Sequence, residues 1–288
     1  MRIGIAVKPG LVDAAETLAG IEQWLATHQV DSTWEPGAIA LLPPGDRRVA
    51  ERADLPRDAD LILVLGGDGT LLALAKAIAE ANRDIPILAV NFGSLGFLTE
   101  ITRPEIYASL DAVLAGTALH DQRMMLRAIS ERAGAEPSID IALNDIVFTR
   151  TALSRMIDLA VWVGDQFVTS VKADGLIVAS PTGSTAYNLA AGGPIVHPAM
   201  DALVLTPIAP HTLTNRPIVI PAERDVRVKS TGTNAGNIYV TFDGQSGFEM
   251  SEGDEVLIAR APRPLRLVRS SSRSYFEVLR QKLKWNER

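Results

Sequence analysis

The chain falls into two patterns of hydrophobic and polar positions. In the first, short continuous apolar runs alternate with segments of helical period. "RIGIAV" reads as a strand, and Val12 to His28 as a helix with Leu18, Ile21 and Leu25 on one face. "DLILVLGG" is a continuous apolar run of strand length, expected where a parallel strand is covered on both sides. Leu71, Leu74, Ala75 and Ile78 then repeat at helical spacing, "IPILAVNFG" is another buried strand, and "PEIYASLDAVLAG" is a helix that starts at Pro104 and stops at Gly116. Alternating strands and helices predict an α/β domain with a parallel, Rossmann-like sheet. The polar stretch "LLPPGDRRVAERADLPRDAD" reads as a surface loop inside it.

Near residue 119 the pattern changes. "RMMLRAISER", "SIDIALNDIVFTR", "RMIDLAVWVGDQFVTSV", "GLIVAS", "ALVLTPIAP", "RDVRVKS", "GNIYVTFDGQ" and "DEVLIARAP" are strand-like, with short connectors rich in Gly, Asp, Asn, Ser and Pro. Gly-Asp in "WVGDQF" marks a hairpin. Strands this closely spaced predict an all-β domain, sandwich-like or barrel-like. The exceptions are a Gly- and Ala-rich piece from Pro181 to Gly193, with room for a short helix, and the helical ending "SYFEVLRQKLKW". The domains are therefore 1–118 and 119–269, followed by the helical segment 270–288.

Composition narrows the chemistry. The 288 residues include no Cys and four scattered His (His28, His120, His197, His211), which leaves no thiolate metal site and no zinc-binding helix motif. The net charge of −6 argues against broad nucleic-acid binding. No apolar stretch reaches membrane-spanning length and the N-terminus lacks a signal-peptide core, so a soluble cytoplasmic protein is expected.

Three stretches carry candidate chemistry. In "LGGDGT", Asp68 stands among Gly66, Gly67 and Gly69 at the join of a buried strand and a helix, where α/β sheets bind ligands and helix N-termini favour anions. A carboxylate there can take a proton from a hydroxyl or hold Mg²⁺; equally, Asp68 or Thr70 can simply cap the helix. The stretch is neither a Walker A loop nor GxGxxG. "KADGLIVASPTGSTAYNLAAGGPI" packs small donors and acceptors between strands, suited to a polar ligand or to a flexible loop. In "ALNDIVF", Asn144 and Asp145 interrupt an apolar strand, and both reach one ligand only if the strand ends or bulges there; a polar edge-strand position is the alternative.

Taken together, "GGDGT", "LND", "DGLIVASPTGSTAYNLAAGGPI", "TPIAPHTLTNRPIVIP" and "DGQ" closely resemble the NAD kinase family. The resemblance runs from "LILVLGGDGT" to "YFEVLRQKLKW"; the first sixty residues match loosely. "GGDGT" alone is shared with lipid kinases and resembles the phosphofructokinase "GGDGS", and the Gly/Ser/Thr stretch selects NAD kinases. The resemblance implies transfer of the ATP γ-phosphoryl group to the 2′-hydroxyl of the adenosine ribose of NAD, giving NADP. It implies an N-terminal α/β domain, a C-terminal β-rich domain and a last helix that returns to the first. By position it makes Asp68 the general base with Gly69 beside it, and Asn144 and Asp145 a pair in the NAD pocket, where relatives often carry Glu at the second place. Arg155, Lys172, Asp174, Thr185, Ala186, Tyr187, Asn188, Leu189, Ala190 and Gln245 fall on family ligand positions, and Phe97 packs near the adenine. Many relatives have Ser in place of Ala190. The resemblance further implies a divalent cation, Mg²⁺ first, and a homodimer or homotetramer in which Lys172 and Asp174 complete a neighbour's site. The competing readings are a lipid or sugar kinase of the same superfamily and a non-catalytic NAD-binding sensor.

Overall fold

A computed structural model describes residues 1–151, 156–212, 214–231, 238–270 and 272–285. The chain divides into two compact units, Met1–Gln122 with Leu265–Arg288, and Arg123–Pro264.

The first unit holds a seven-stranded sheet. Its strands run in the spatial order Asp31–Trp34, Arg2–Val7, Leu61–Gly66, Pro86–Asn91, Leu265–Val268 and His120–Arg123, with the two-residue strand Ile101–Thr102 also paired to Pro86–Asn91. The central pairings are parallel. Leu61–Gly66 is buried along its whole length, as its uninterrupted apolar run requires. The helix Ala15–Thr27 lays Leu18, Ile21, Trp24 and Leu25 on Ile3, Ile5, Leu63 and Val90. The helix Asp68–Glu80 buries Leu71, Leu74, Ala75 and Ile78, the face its spacing predicts.

Two features depart from the sequence reading. The segment 41–60 is more than a surface loop: Trp34 bridges to Val49, and the short helix Leu55–Asp58 buries Leu55 and Pro56. Leu265–Val268, too short and too charged to stand out, joins the first sheet beside Pro86–Asn91. The helix Tyr275–Leu283 follows in the same unit, opened by a capping box in which Ser274 and Glu277 exchange hydrogen bonds. No helix among the described residues is long and apolar enough to cross a membrane.

The second unit is an antiparallel sandwich of two six-stranded sheets. One runs Gln166–Ala173, Ile157–Val163, Val226–Ser230, Glu255–Arg260, Leu126–Glu131, Ser138–Ala142; the other runs Ile218–Pro221, Ala202–Ile208, Gly175–Ala179, Asp145–Arg150, Ile238–Phe242, Ser246–Met250. Leu159, Val161, Val228 and Ile258 from the first sheet pack with Ile146, Phe148, Val178 and Val240 from the second in one core. The hairpin at Gly164-Asp165 forms as predicted, with Gly164 at φ 56°. "SIDIALNDIVFTR" is not one strand. Ser138–Ala142 belongs to one sheet and Asp145–Arg150 to the other, so Leu143 and Asn144 are where the chain crosses.

Candidate active site

In the first unit the site is built around Asp68, the first residue of its helix. Its carboxylate does not cap that helix; the N-cap, Gly67, has no side chain to do so. The carboxylate instead reaches the loop after the strand Pro86–Asn91. Oδ2 accepts the N–H of Phe97 at 2.9 Å, while Oδ1 accepts the N–H groups of Leu98 at 3.2 Å and Thr99 at 3.0 Å and the Thr99 hydroxyl at 2.9 Å. A carboxylate offers about four acceptor sites. Oδ1 is therefore filled and Oδ2 keeps an acceptor lone pair.

Two residues that sequence reasoning passed over shape this cradle. A methyl group at Gly96 would overlap both Asp68 Oδ1 and Thr99 Oγ1. Asn91, buried, ties the loop together: Nδ2 donates to the Ser94 carbonyl at 2.7 Å and to Thr99 Oγ1 at 3.1 Å, and Oδ1 accepts the Gly93 N–H at 2.6 Å. The only hint was polar Asn91 at the end of an apolar strand.

The glycines of "GGDGT" act through space rather than through an unusual backbone. None has positive φ, because the extended strand passes straight into the helix. Gly66 is needed for close packing, since a Cβ there would meet Thr70 Oγ1 at 2.8 Å and Lys8 Cβ at 3.0 Å. Around Gly67 and Gly69 a Cβ would meet nothing within 4 Å, so both leave open space beside Asp68. Lys8, exposed at the end of the strand Arg2–Val7, is a cation at this edge that sequence reasoning did not single out. Phe97 is half-buried with Lys282 Nζ 5.5 Å from its ring centroid.

In the second unit, Asn144 and Asp145 lie where the chain enters the strand Asp145–Arg150. Because Asn144 precedes the strand, the alternation that would send the two side chains to opposite faces does not bind them. Three grips hold the turn. The Asp243 carboxylate accepts the N–H groups of Leu143 at 2.8 Å, Asn144 at 2.7 Å and Asp145 at 3.2 Å. The Ser180 N–H donates to the Asn144 carbonyl at 2.8 Å, and its hydroxyl to the Leu143 carbonyl at 2.6 Å. Gly183 lies so close that a Cβ would overlap the Asn144 backbone.

With the backbone so held, neither the Asn144 amide nor the Asp145 carboxyl has a hydrogen-bond partner among the described residues. Asp145 is only 5% exposed. Burial, with the neighbouring charge of Asp243, pushes its carboxyl up to about 7. Asn144 beside it is half-buried, and a buried carboxyl with a strongly shifted pKa and no hydrogen-bond partner among the described residues is a candidate for ligand binding.

The segment 180–190 lies at the same end of the sheet, following the strand Gly175–Ala179, whose Ala179 pairs with Asp145. It contains a 3₁₀ turn, Gly183–Thr185, and one turn of helix, Tyr187–Ala190, so the short helix expected there exists. Thr185 and Leu189 are half-buried, and Tyr187 and Ala190 exposed. Ala186 joins the two turns with an irregular backbone, φ −95° and ψ −128°. Gln245 follows Asp243 in the hairpin turn at this end.

One expectation changes. The Asn188 side chain is fully buried, donating to the carbonyls of Ser184 and Pro194 and accepting from the Thr206 hydroxyl. It braces the loop and is not turned to a ligand. Lys172 and Asp174 lie beyond the other end of the strand Gly175–Ala179, five residues and about 17 Å from the Asn144 turn. There Asp174 pairs with Arg150 at 2.9 Å and Lys172 with Asp158 at 3.5 Å. Sequence spacing could not reveal that one strand separates the two groups. Arg155 lies outside the described residues.

Residues 3–118 match the family of ATP-NAD kinase N-terminal domains and residues 143–270 that of ATP-NAD kinase C-terminal domains. The chain belongs to the NAD kinase family. An NAD kinase of Geotalea daltonii is 48% identical over 280 residues, covering 97% of this chain and 96% of its own. One from Syntrophotalea carbinolica is 45% identical over 288 residues, covering 100% and 99%. Among solved structures, yeast NADH kinase complexed with NADH superposes with a TM-score of 0.91 at 25% identity, covering 100% of this chain and 89% of its own. An NAD kinase from Archaeoglobus fulgidus in complex with ATP gives 0.77 at 26% identity, covering 98% and 99%. Membership makes this chain a phosphotransferase that acts on NAD, and the lipid- and sugar-kinase readings fall away.

Proposed function

We propose that the chain transfers the γ-phosphoryl group of ATP to the 2′-hydroxyl of the adenosine ribose of NAD, with Asp68 as general base. The observation that carries this reading is the Asp68 carboxylate, fixed by four donors yet keeping an acceptor site on Oδ2. A hydroxyl donating to Oδ2 passes its proton there as its oxygen bonds to phosphorus and the bond from phosphorus to the ADP oxygen breaks. Phosphoryl transfer is catalysed chiefly by positioning and charge stabilisation, and a carboxylate held by backbone N–H groups needs no reorganisation. In the second unit Asn144 and Asp145 hold the dinucleotide, with Thr185, Ala186, Tyr187, Leu189, Ala190 and Gln245 as further contacts; in the first, Gly69 leaves room for it beside Asp68, and Lys8 offsets phosphate charge. Phe97 offers a face for the adenine.

Among the described residues no group of three His, Cys, Asp or Glu could enclose a metal. Mg²⁺ would be carried chiefly by nucleotide phosphate oxygens and water, as Mg²⁺ usually is, leaving the open acceptor of Asp68 Oδ2 to the hydroxyl. Mg²⁺ supplies neutralisation of the charge on the transferring phosphate. Lys172 and Asp174, far from the Asn144 turn within one chain, serve a neighbouring copy in a cytoplasmic homodimer or homotetramer. Incubation with NAD, Mg²⁺ and either ATP or polyphosphate, followed by NADP detection, tests the reading. NAD binding without NADP formation from either donor would favour the sensor.

A further inference from the structure

The Asp243 carboxylate is spent on backbone N–H groups of residues a hundred positions earlier in the chain. Its own N–H donates to the Asp145 carbonyl at 3.0 Å, closing a ring of contacts around the turn. Asp243 sits at φ 52° and Gly244 at φ 65°, at the tip of the hairpin between Ile238–Phe242 and Ser246–Met250. A non-glycine residue in the left-handed region is uncommon, and Asp is among the few that accept it. An Asp-Gly pair at positive φ suits the tight hairpin turn in itself; what the turn does not require is that the carboxylate accept the N–H groups of residues 143–145.

We propose that Asp243 is the positioning residue of the NAD site: by holding the N–H groups of residues 143–145 it sets the side chains of Asn144 and Asp145 for the dinucleotide, and it takes no part in phosphoryl transfer. This rests on the reading of Asn144 and Asp145 as NAD ligands. The opposite grip is neutral: Ser180 and Gly183 fix the same turn through a hydroxyl, an N–H and close packing. Asp243 alone brings charge. The flanking strands Gly175–Ala179 and Ile238–Phe242 and the segment 180–190 contain no charged residue, and their titratable groups are Tyr187 and Tyr239. Arg150 stands at the far end of the strand that Asp145 begins, and Glu249 on the outer strand opposite Tyr239. Burial is the main reason the Asp145 carboxyl keeps its proton up to about neutral pH, and the charge that adds to it is that of Asp243. Protonated, that carboxyl can donate to a ribose oxygen; ionised, it can only accept.

The test is the NAD kinase assay and NAD titration from pH 5.5 to 9, with wild type, D243N, D243A and N144A. D243N keeps the shape but exchanges one carboxylate oxygen for a donor that faces backbone N–H. Expected are a rise in KM for NAD of about five-fold in D243N and above ten-fold in D243A, kcat within two-fold, and KM for ATP unchanged. The inflection of NAD affinity near pH 7 should move to lower pH in D243N. A fall in kcat at unchanged KM, or equal changes for both substrates, overturns the positioning role. So does an unmoved pH inflection. N144A separates the two layers: weaker NAD binding in N144A with none in D243N sinks the role of Asp243 alone, and unaltered binding in both sinks the site itself. Should D243N fail to fold, D243S, which retains an acceptor oxygen, is read by the same constants.

Discussion

Two aspartates, one in each unit, make the same bonds to opposite ends. Asp68 accepts the N–H groups of residues 97–99, and Asp243 those of residues 143–145. Each stands against three successive backbone dipoles, a concavity suited to an anion. In the first unit the held carboxylate is the chemical group, and the loop 97–99 is its fixture. In the second the carboxylate is the fixture, and the turn it holds carries the unpartnered groups. Charge-assisted hydrogen bonds to backbone are strong and directional, so one device can aim either the anion or the loop. The difference shows in what each grip serves: Asp68 Oδ2 faces open space beside Gly67 and Gly69, whereas the Asp243 carboxylate is engaged with the backbone of the turn.

The sharpest break in this parallel is Asp68→Asn. It removes the base and also sets an amide N–H against the donors of the loop. General-base loss costs about 10²–10⁴ in rate, so kcat should fall by that order while calorimetric titration still finds NAD bound. A variant that retains more than about a tenth of the activity ends the case for Asp68 as base.

Asp145→Asn probes the other unit through stability. The native carboxyl binds its proton up to about pH 7, whereas an unfolded Asp releases it near 4. Between those values the folded state holds more protons, so wild-type stability should fall as pH rises from about 4 to about 7 and then level. Replacing the carboxyl by an amide removes that slope. At pH 8 the variant should gain roughly 2 kcal/mol, on the basis of about 1.4 kcal/mol per unit with allowance for relaxation, and denaturant titrations at pH 4 and 8 read it directly. An unchanged pH slope would show that Asp145 ionises in the fold without penalty.

Thr99→Val removes one donor from Asp68 Oδ1 and keeps the shape. A hydrogen bond to a charged group is worth about 1.5–3 kcal/mol, part of which the two N–H donors on the same oxygen will retain. A loss of about ten-fold in kcat, with KM for NAD nearly constant, is expected from steady-state assays. A change confined to KM would mean that the hydroxyl serves binding rather than the aim of Asp68.

What could be read in the sequence follows the range of the interaction. Asp68 announced itself because strand, glycines and helix are contiguous, and local pattern reports local structure. Its cradle was hidden because the bonds span about thirty residues, and that of Asn144 because Asp243 lies about a hundred residues away. Leu265–Val268 gave no signal, since its place in the sheet comes from its partner strand. Asn188 falls on a family ligand position by resemblance, which reports a place in a motif and not burial; its side chain is fully buried against Thr206. Lys172 and Asp174 are implied by resemblance to complete a neighbour's site, and an extended strand carries them away from the Asn144 turn at about 3.3 Å per residue.

The smallest effect separates missing contacts from repacked ones. Ala190 is exposed and closes the one-turn helix Tyr187–Ala190. A serine there meets no wall of this unit, so Ala190→Ser should fold unchanged. Relatives with serine at this place imply a hydroxyl directed to the adenosine half of NAD. If the turn keeps that direction here, the new hydroxyl finds a partner on the ligand, worth up to about 1 kcal/mol, roughly five-fold in affinity. The gain should appear in the dissociation constant for NAD and not in kcat, because Ala190 lies among the residues proposed to bind, while Asp68 alone handles the proton. Calorimetric titration of NAD into both proteins decides it. Tighter binding identifies Ala190 as a contact that this chain has given up, whereas equal or weaker binding means that the turn has already filled the place by other atoms.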